Sequence, residues 1–158
     1  MREYSLDTLM NLMNTYPDNI MSIKHRYLSL LSQLTVVSFL ETDLFIHNVK
    51  KISTMGNIFI LYLSTPDRED FDILASGTIL IEPKIIRGGK NVGHIEDIVV
   101  AEHVRNNGLS QVILNSLKQY AKQNDCYKIT LDCTDEVKQV YVKNGFEQTG
   151  VQMVIRKG

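Results

Sequence analysis

The stretch HIEDIVVAEHVRNNGLSQVILNSL, residues 94–117, constrains the fold more than any other. Its apolar run, IEDIVV, is short and rich in β-branched residues, which reads as a strand. A polar loop with Arg105, two asparagines and Gly108 follows. The pattern then changes to helical spacing, with Leu109, Val112, Ile113, Leu117, Tyr120 and Ala121 on one stripe. A strand, a glycine-containing turn and a long helix therefore follow one another directly. Two adjacent acids, Glu96 and Asp97, interrupt the strand. In a regular strand they face opposite sides, so one of them faces the side that packs. A buried carboxylate without a partner is strongly unfavourable. The pair points to a bulge or a polar ligand here, or else to an edge strand with both acids solvated.

The rest of the chain supplies the elements around this unit. Residues 5–15 and 19–34 have helical spacing, the second with Tyr27, Leu28, Leu31 and Leu34 on one face. ETDLFIHNVKKI, residues 41–52, reads as a third helix, with acids early and lysines late as the helix dipole favours. NIFILYL and ILASGTILIEP are strands, the second halted by Pro83 and separated from the first by a polar turn. KIIRGGKNVG is a basic loop before the VGHIEDIVV strand. YKITLDC, residues 127–133, alternates: Tyr127, Ile129, Leu131 and Cys133 face one way, Lys128, Thr130 and Asp132 the other. DEVKQVYVKN is a short helix ending at Gly145, and VQMVIR a terminal strand. Strand runs followed by strand–helix–strand predict an α+β domain with a mixed sheet. No repeat or linker divides it, so a single domain over 1–158 is expected.

Composition excludes several function classes. The net charge of −1, without a basic run, lacks the electrostatic footprint of sequence-independent nucleic-acid binding. No stretch approaches the roughly 20 apolar residues of a membrane span, and the N-terminus has no basic-then-apolar leader pattern. Cys126 and Cys133 read as ordinary core or strand residues and as free thiols, which suits a reducing, cytoplasmic compartment. The four histidines are scattered, and no CxxC or HExxH occurs, so no metal site is expected.

Candidate site residues cluster in the second half. RNNGLS places Arg105 and Gly108 at a helix N-terminus, whose free N–H groups and dipole suit a pyrophosphate. An ordinary strand-to-helix turn uses the same residue types. It is neither a P-loop nor a GxGxxG fingerprint. Asp132, on one face with Lys128, reads as an acceptor for a cationic or hydroxylic substrate beside a phosphate-binding lysine, or as a plain surface ion pair. Tyr141 offers a phenol donor, or is a core tyrosine with its hydroxyl at the surface. Lys84, Arg87 and Lys90 form a basic loop. Together these features fit group transfer from a phosphate-bearing carrier to an amine.

YLSLLSQLT, ASGTILIEPKII, GHIEDIVV, RNNGLSQVILNSL, CYKITLDC, VYVKNGF and GVQMVIRK, in that order over residues 27–158, resemble the GCN5-related N-acetyltransferase superfamily. HIEDIVV, CYKITLDC and VQMVIRK resemble its branch that acts on glucosamine 6-phosphate. The resemblance implies a mostly antiparallel, twisted sheet, splayed at the cofactor site and flanked by helices. It implies acetyl transfer from acetyl-CoA, a cosubstrate, to the amine of D-glucosamine 6-phosphate, feeding UDP-N-acetylglucosamine synthesis. The strand at Ile98, Val99 and Val100 would pair with the pantetheine arm. Arg105, Asn106, Asn107, Gly108, Leu109, Ser110 and Gln111 would wrap the pyrophosphate. Glu96 and Asp97 would border the sugar and the reacting carbonyl, Asp132 would hold the amino sugar, and Tyr141 would hydrogen-bond the departing thiolate. Thr35, Lys84, Ile85, Ile86, Arg87, Tyr127, Lys128 and Arg156 would bind sugar hydroxyls and the 6-phosphate. A homodimer with an intertwined C-terminal strand would let Arg156 serve the second site.

Two positions depart from the family pattern. Ser110 stands where a second loop glycine is usual, which matters only if that position needs φ > 0. Val137 stands where an asparagine usually binds CoA, and removes a hydrogen bond of about 1 kcal/mol. The same fold with another amine acceptor, a polyamine or a protein, and a silent acetyl-CoA-binding dimer are the alternatives.

Overall fold

Alternation along NIFILYL and its neighbours produces one five-stranded sheet whose strands lie side by side in chain order. The computed structural model describes residues 4–158; residues 1–3, part of the expected 1–158 domain, lie outside the described residues. The strands are β1 (Ser5–Thr8), β2 (Gly56–Ser64), β3 (Phe71–Pro83), β4 (Asn91–Val100) and β5 (Cys126–Leu131). The helices are α1 (Leu9–Thr15), α2 (Ile20–Leu31), α3 (Thr42–Ser53), α4 (Leu109–Gln123) and α5 (Lys138–Lys143). β1 to β4 pair antiparallel, and β5 joins β4 in parallel through the α4 crossover. The sheet is thus mixed and mostly antiparallel, as expected.

Adjacent residues on each strand feed two cores. Ile60 and Ile73 face α1, α2 and α3, where Leu12, Ile23, Tyr27, Leu30, Phe45 and Val49 are buried. Leu61 and Leu74 face the other way, where α4 buries Leu109, Ile113, Leu114, Leu117 and Ala121. Helices therefore cover both faces of the sheet.

Several expectations need correction. Residues 5–8 form a strand along β2, and the helix begins at Leu9 because Thr8 caps it, its hydroxyl accepting the Asn11 N–H at 3.1 Å. The buried face of α2 is Ile23, Tyr27 and Leu30, since the helix stops at Leu31 and leaves Leu34 45% exposed. On α4, Leu114 rather than Val112 completes the stripe. The last helix is shorter than DEVKQVYVKN; Gly145 follows it with φ of 90°, as its C-cap role requires. Cys133 is exposed, beyond the end of β5, although Cys126 lies in the strand as expected. VQMVIR forms no strand. Val151, Met153 and Ile155 of that run are almost wholly exposed.

Candidate active site

The acids of β4 are accommodated by a bulge. Ser76 pairs with Val99 and Thr78 with Glu96, so Gly77 alone opposes Asp97 and Ile98. Asp97 takes a φ of 53°, which turns its side chain out of the sheet alternation. Both carboxylates are thereby exposed rather than buried in a core. A methyl on Gly77 would lie 2.7 Å from both Ile113 Cγ2 and Ile98 Cδ1, so α4 packs directly on the bulge.

The same segment opens the sheet. β4 and β5 pair from Asn91–Cys126 as far as Ile95–Leu131 and then part. From Glu96 to Val100, β4 keeps its β3 partner and presents its other edge to the gap, with Asp132 on the far side. Burial, then Asp97 and then Asp132 push the Glu96 carboxyl above its ordinary value, and His94 opposes them. A raised carboxyl at the mouth of a gap is a better proton acceptor than an ordinary one.

Between gap and helix, the turn Glu102–Val104 leads into the loop. The Arg105 Nε donates to the Val100 carbonyl at 3.0 Å, and the Asn107 amide donates to the carbonyls of Val104 and Arg105. Asn106 and Gly108 have φ of 64° and 77°, bending the loop around the start of α4, which no side chain caps. Free N–H groups and the positive dipole end therefore face the opening. Ser110 is already inside the helix and is not a positive-φ position, so serine is unstrained there.

Tyr141 closes the third side from α5, its ring edge-on to Phe146 at 6.0 Å. Burial chiefly, with Cys133 nearby, raises its phenol above the usual tyrosine value, so it is protonated at neutral pH.

One cleft of 860 Å³ collects Glu96, Asp97, Ile98, Val99, Val100 and Thr35 with Arg105, Asn106, Gly108, Leu109, Ser110, Asp132 and Tyr141. Asn107 and Gln111 are loop and helix residues outside its lining, as are Lys84, Ile85, Ile86, Arg87, Tyr127, Lys128 and Arg156. Of these, Lys84 to Arg87 sit at the β3–β4 connection, with Ile85 98% exposed. The Arg87 guanidinium lies 5.6 Å and the Lys128 ammonium 5.7 Å from the Tyr127 ring centroid, gathering two cations at one aromatic. Arg156 lies in the exposed C-terminal run. Gln33, Leu34, Thr134 and Val140 also line the cleft and were not anticipated. Gln33 carries no local signal, because its partner, Glu102, is reached only through the fold. Among the described residues no cluster of His, Cys, Asp and Glu could hold a metal ion.

A long carrier fits this shape: an extended arm along the free β4 edge and phosphates at the α4 N-terminus. The model of the acetyltransferase (GNAT) family matches residues 38–146. A probable glucosamine 6-phosphate N-acetyltransferase 2 of Oryza sativa subsp. japonica is 37% identical over 130 residues, 82% of this chain and 78% of that protein. The glucosamine 6-phosphate N-acetyltransferase of Candida albicans is 35% identical over 84% of this chain and 87% of its own length. The crystal structure of the glucosamine-6-phosphate N-acetyltransferase of Arabidopsis thaliana superposes with a TM-score of 0.80 at 27% identity, covering 98% of each chain. With the split β4–β5 edge leading into an uncapped helix, these matches establish that the chain belongs to the acetyltransferase (GNAT) family.

Proposed function

We propose that the chain transfers the acetyl group of acetyl-CoA to the amine of D-glucosamine 6-phosphate, giving N-acetyl-D-glucosamine 6-phosphate and CoA for UDP-N-acetylglucosamine synthesis. The observation that carries this reading is the meeting, in one cleft, of the free β4 edge, the loop at Arg105, Asn106 and Gly108 with the start of α4, the Glu96 and Asp132 carboxylates and the Tyr141 phenol. The similar enzymes named above supply the substrate.

Acetyl-CoA brings an activated thioester carbonyl. The backbone of Ile98, Val99 and Val100 holds its arm as an added strand, and the loop with the first turn of α4 holds its phosphates. Asp132 and Glu96 orient the amine across the gap. Its nitrogen lone pair attacks the carbonyl carbon, the C–S bond breaks, and the nitrogen's proton passes to Glu96, Asp132 or water. Tyr141 gives its hydrogen bond, and then its proton, to the departing sulfur. Holding both reactants in one cleft supplies much of the acceleration. Lys84, Arg87, Tyr127 and Lys128, outside the cleft lining, form the basic group for the 6-phosphate, and Thr35, which lines the cleft, binds a sugar hydroxyl.

The reading extends to assembly. The outer edge of β5 has no partner among the described residues, and VQMVIR is an exposed apolar run that pairs with no strand of its own chain. Both features support a homodimer in which this run crosses to a second copy and brings Arg156 to its site. No helix among the described residues is long and apolar enough to cross a membrane. Two free thiols support the cytoplasm as the compartment. The two cores on one sheet support action as a single domain over 1–158.

CoA release with glucosamine 6-phosphate beside unphosphorylated glucosamine tests the reaction. Turnover confined to the phosphorylated sugar is expected. Turnover with neither, despite acetyl-CoA binding, would overturn it. Mixing Arg156→Ala and Asp132→Asn dimers tests the shared site: activity returns only if each chain completes its neighbour.

A further inference from the structure

The acceptor side of the sheet carries a hydrogen-bonded ladder that the reaction above leaves unused. His94 lies on β4 two residues before Glu96, on the same face. Its Nδ1 is 3.1 Å from the hydroxyl of Thr130, its paired residue on β5. Its Nε2 is 3.5 Å from Oε1 of Glu82 on β3, and that oxygen also accepts from Lys84 Nζ at 3.1 Å. Lys84 first, and His94 after it, hold the Glu82 carboxyl below its ordinary value. One imidazole therefore ties three strands together, a single rung before β4 and β5 part at Ile95–Leu131.

Stability does not account for this ladder. The His94 ring is 39% exposed and the Glu82 side chain 43%, and ion pairs so exposed contribute little to folding. Position is the better explanation. Lys84 stands at one end of the ladder. Thr130, at the other, has Lys128 and Asp132 on either side of it on the same face. The charged groups around the ring are thus Glu82 from β3, Lys84 just after it, Glu96 on its own strand, Lys128 from β5 and Asp132 just beyond β5.

The partners also suit a ring that changes charge. A threonine hydroxyl donates or accepts, while a carboxylate only accepts. With Nε2–H given to Glu82, a neutral ring accepts from Thr130. A protonated ring donates at both nitrogens, and the hydroxyl turns round. Neither contact is lost when the proton is gained.

We propose that His94 is a positioning residue for the amine acceptor, holding Lys84 on one side and the Lys128–Asp132 end of β5 on the other in register with Glu96. The inference rests on reading this face as the acceptor site. Ring and Glu96 carboxylate share a face, so their register is also an electrostatic coupling.

The test compares wild type, His94→Ala and His94→Gln. With His94→Ala, the KM for glucosamine 6-phosphate rises about tenfold, as for one charged hydrogen bond, while that for acetyl-CoA is unchanged. His94→Gln keeps a donor and an acceptor without a titrating ring. It restores most of that KM. An activity-independent readout accompanies this: the Glu96 carboxyl is titrated by 13C NMR without ligands. His94 opposes the upward push on the Glu96 carboxyl, so His94→Gln moves the Glu96 midpoint upward. An unmoved midpoint with an unchanged amine KM overturns the proposal. If the wild-type enzyme does not acetylate glucosamine 6-phosphate, the reading of the substrate falls separately. The titration then decides alone, an unmoved midpoint overturning the inference and an upward shift supporting it.

Discussion

The Gln33 carboxamide oxygen accepts the backbone N–H of Glu102 at 2.7 Å, joining two lips of the cleft that are 69 residues apart in sequence. Gln33 follows the end of α2 and adjoins Leu34 and Thr35, which line the opening beside the acids. Glu102 starts the turn that leads to Arg105 and Gly108. The bond therefore sets the spacing between acceptor lip and cofactor loop.

Removing it loosens the loop without disturbing either core. Gln33→Ala is expected to weaken acetyl-CoA binding about fivefold, the equivalent of one net hydrogen bond near 1 kcal/mol. The thermal midpoint stays within a few degrees. Gln33→Glu, which keeps an acceptor oxygen, restores most of the affinity. Calorimetric titration with acetyl-CoA checks both, and an unchanged affinity in Gln33→Ala sinks the idea.

Tyr141→Phe isolates the phenol. The ring's edge contact with Phe146 at 6.0 Å survives the change, so folding is preserved. Loss of a proton donor at the leaving sulfur lowers kcat by about 10- to 100-fold. Burial raises the wild-type phenol, so the donor form persists above the usual tyrosine range. An alkaline fall in kcat from this group therefore lies higher than for a free tyrosine and is absent in the Phe variant. Steady-state rates across alkaline pH decide it.

Much of this architecture was legible in the sequence. The 94–117 stretch gave strand, loop and helix because its period changes sharply at Gly108, and a bulge at Glu96–Asp97 was among the readings of two acids in one strand. The alternatives there resolve in an unexpected way, since the bulge and a local free edge occur together. Residues 5–8 were misread because a four-residue strand is shorter than the window in which helical periodicity is judged. VQMVIR has strand composition, but a strand needs a paired neighbour, and the run pairs with no strand of its own chain. Gln33 was invisible, as a polar residue after a helix whose role comes from one long-range bond. His94 was counted among scattered histidines, because its partners lie on two other strands.

Acid stability turns on the tie between α2 and the β2–β3 connection. Arg26 meets Asp70 at 2.5 Å, and Ser22 donates to the same carboxylate at 3.0 Å. Arg26 first among its partners holds the Asp70 carboxyl at about 2. A carboxyl lowered on folding stabilises the native state above its unfolded value, near 3.9, and loses that contribution as pH falls through its folded value. The stability gap between wild type and Asp70→Asn is therefore full at neutral pH, shrinks below about pH 4 and closes towards pH 2. Urea unfolding of both proteins at pH 7, 4 and 2.5 measures it. A gap independent of pH would show that Arg26 does not act through the charge of Asp70.

Two glycines separate packing from binding. Gly77 faces the bulge, where an added methyl meets Ile113 and Ile98 side chains at 2.7 Å. Gly108 has open space around it, but its φ of 77° is unfavourable for any side chain. Gly77→Ala must push α4 from the sheet or move both isoleucines, a change that destabilises by about 1–3 kcal/mol. Gly108→Ala carries backbone strain of about 1–2 kcal/mol, and the loop relieves it by shifting away from the geometry that presents the first N–H groups of α4. Gly77→Ala is thus expected to lower the unfolding midpoint more, and Gly108→Ala to weaken acetyl-CoA more. Thermal unfolding and acetyl-CoA titration on both variants give the comparison. The reverse order would mean that the loop's left-handed turn at Gly108 matters to folding rather than to holding phosphate.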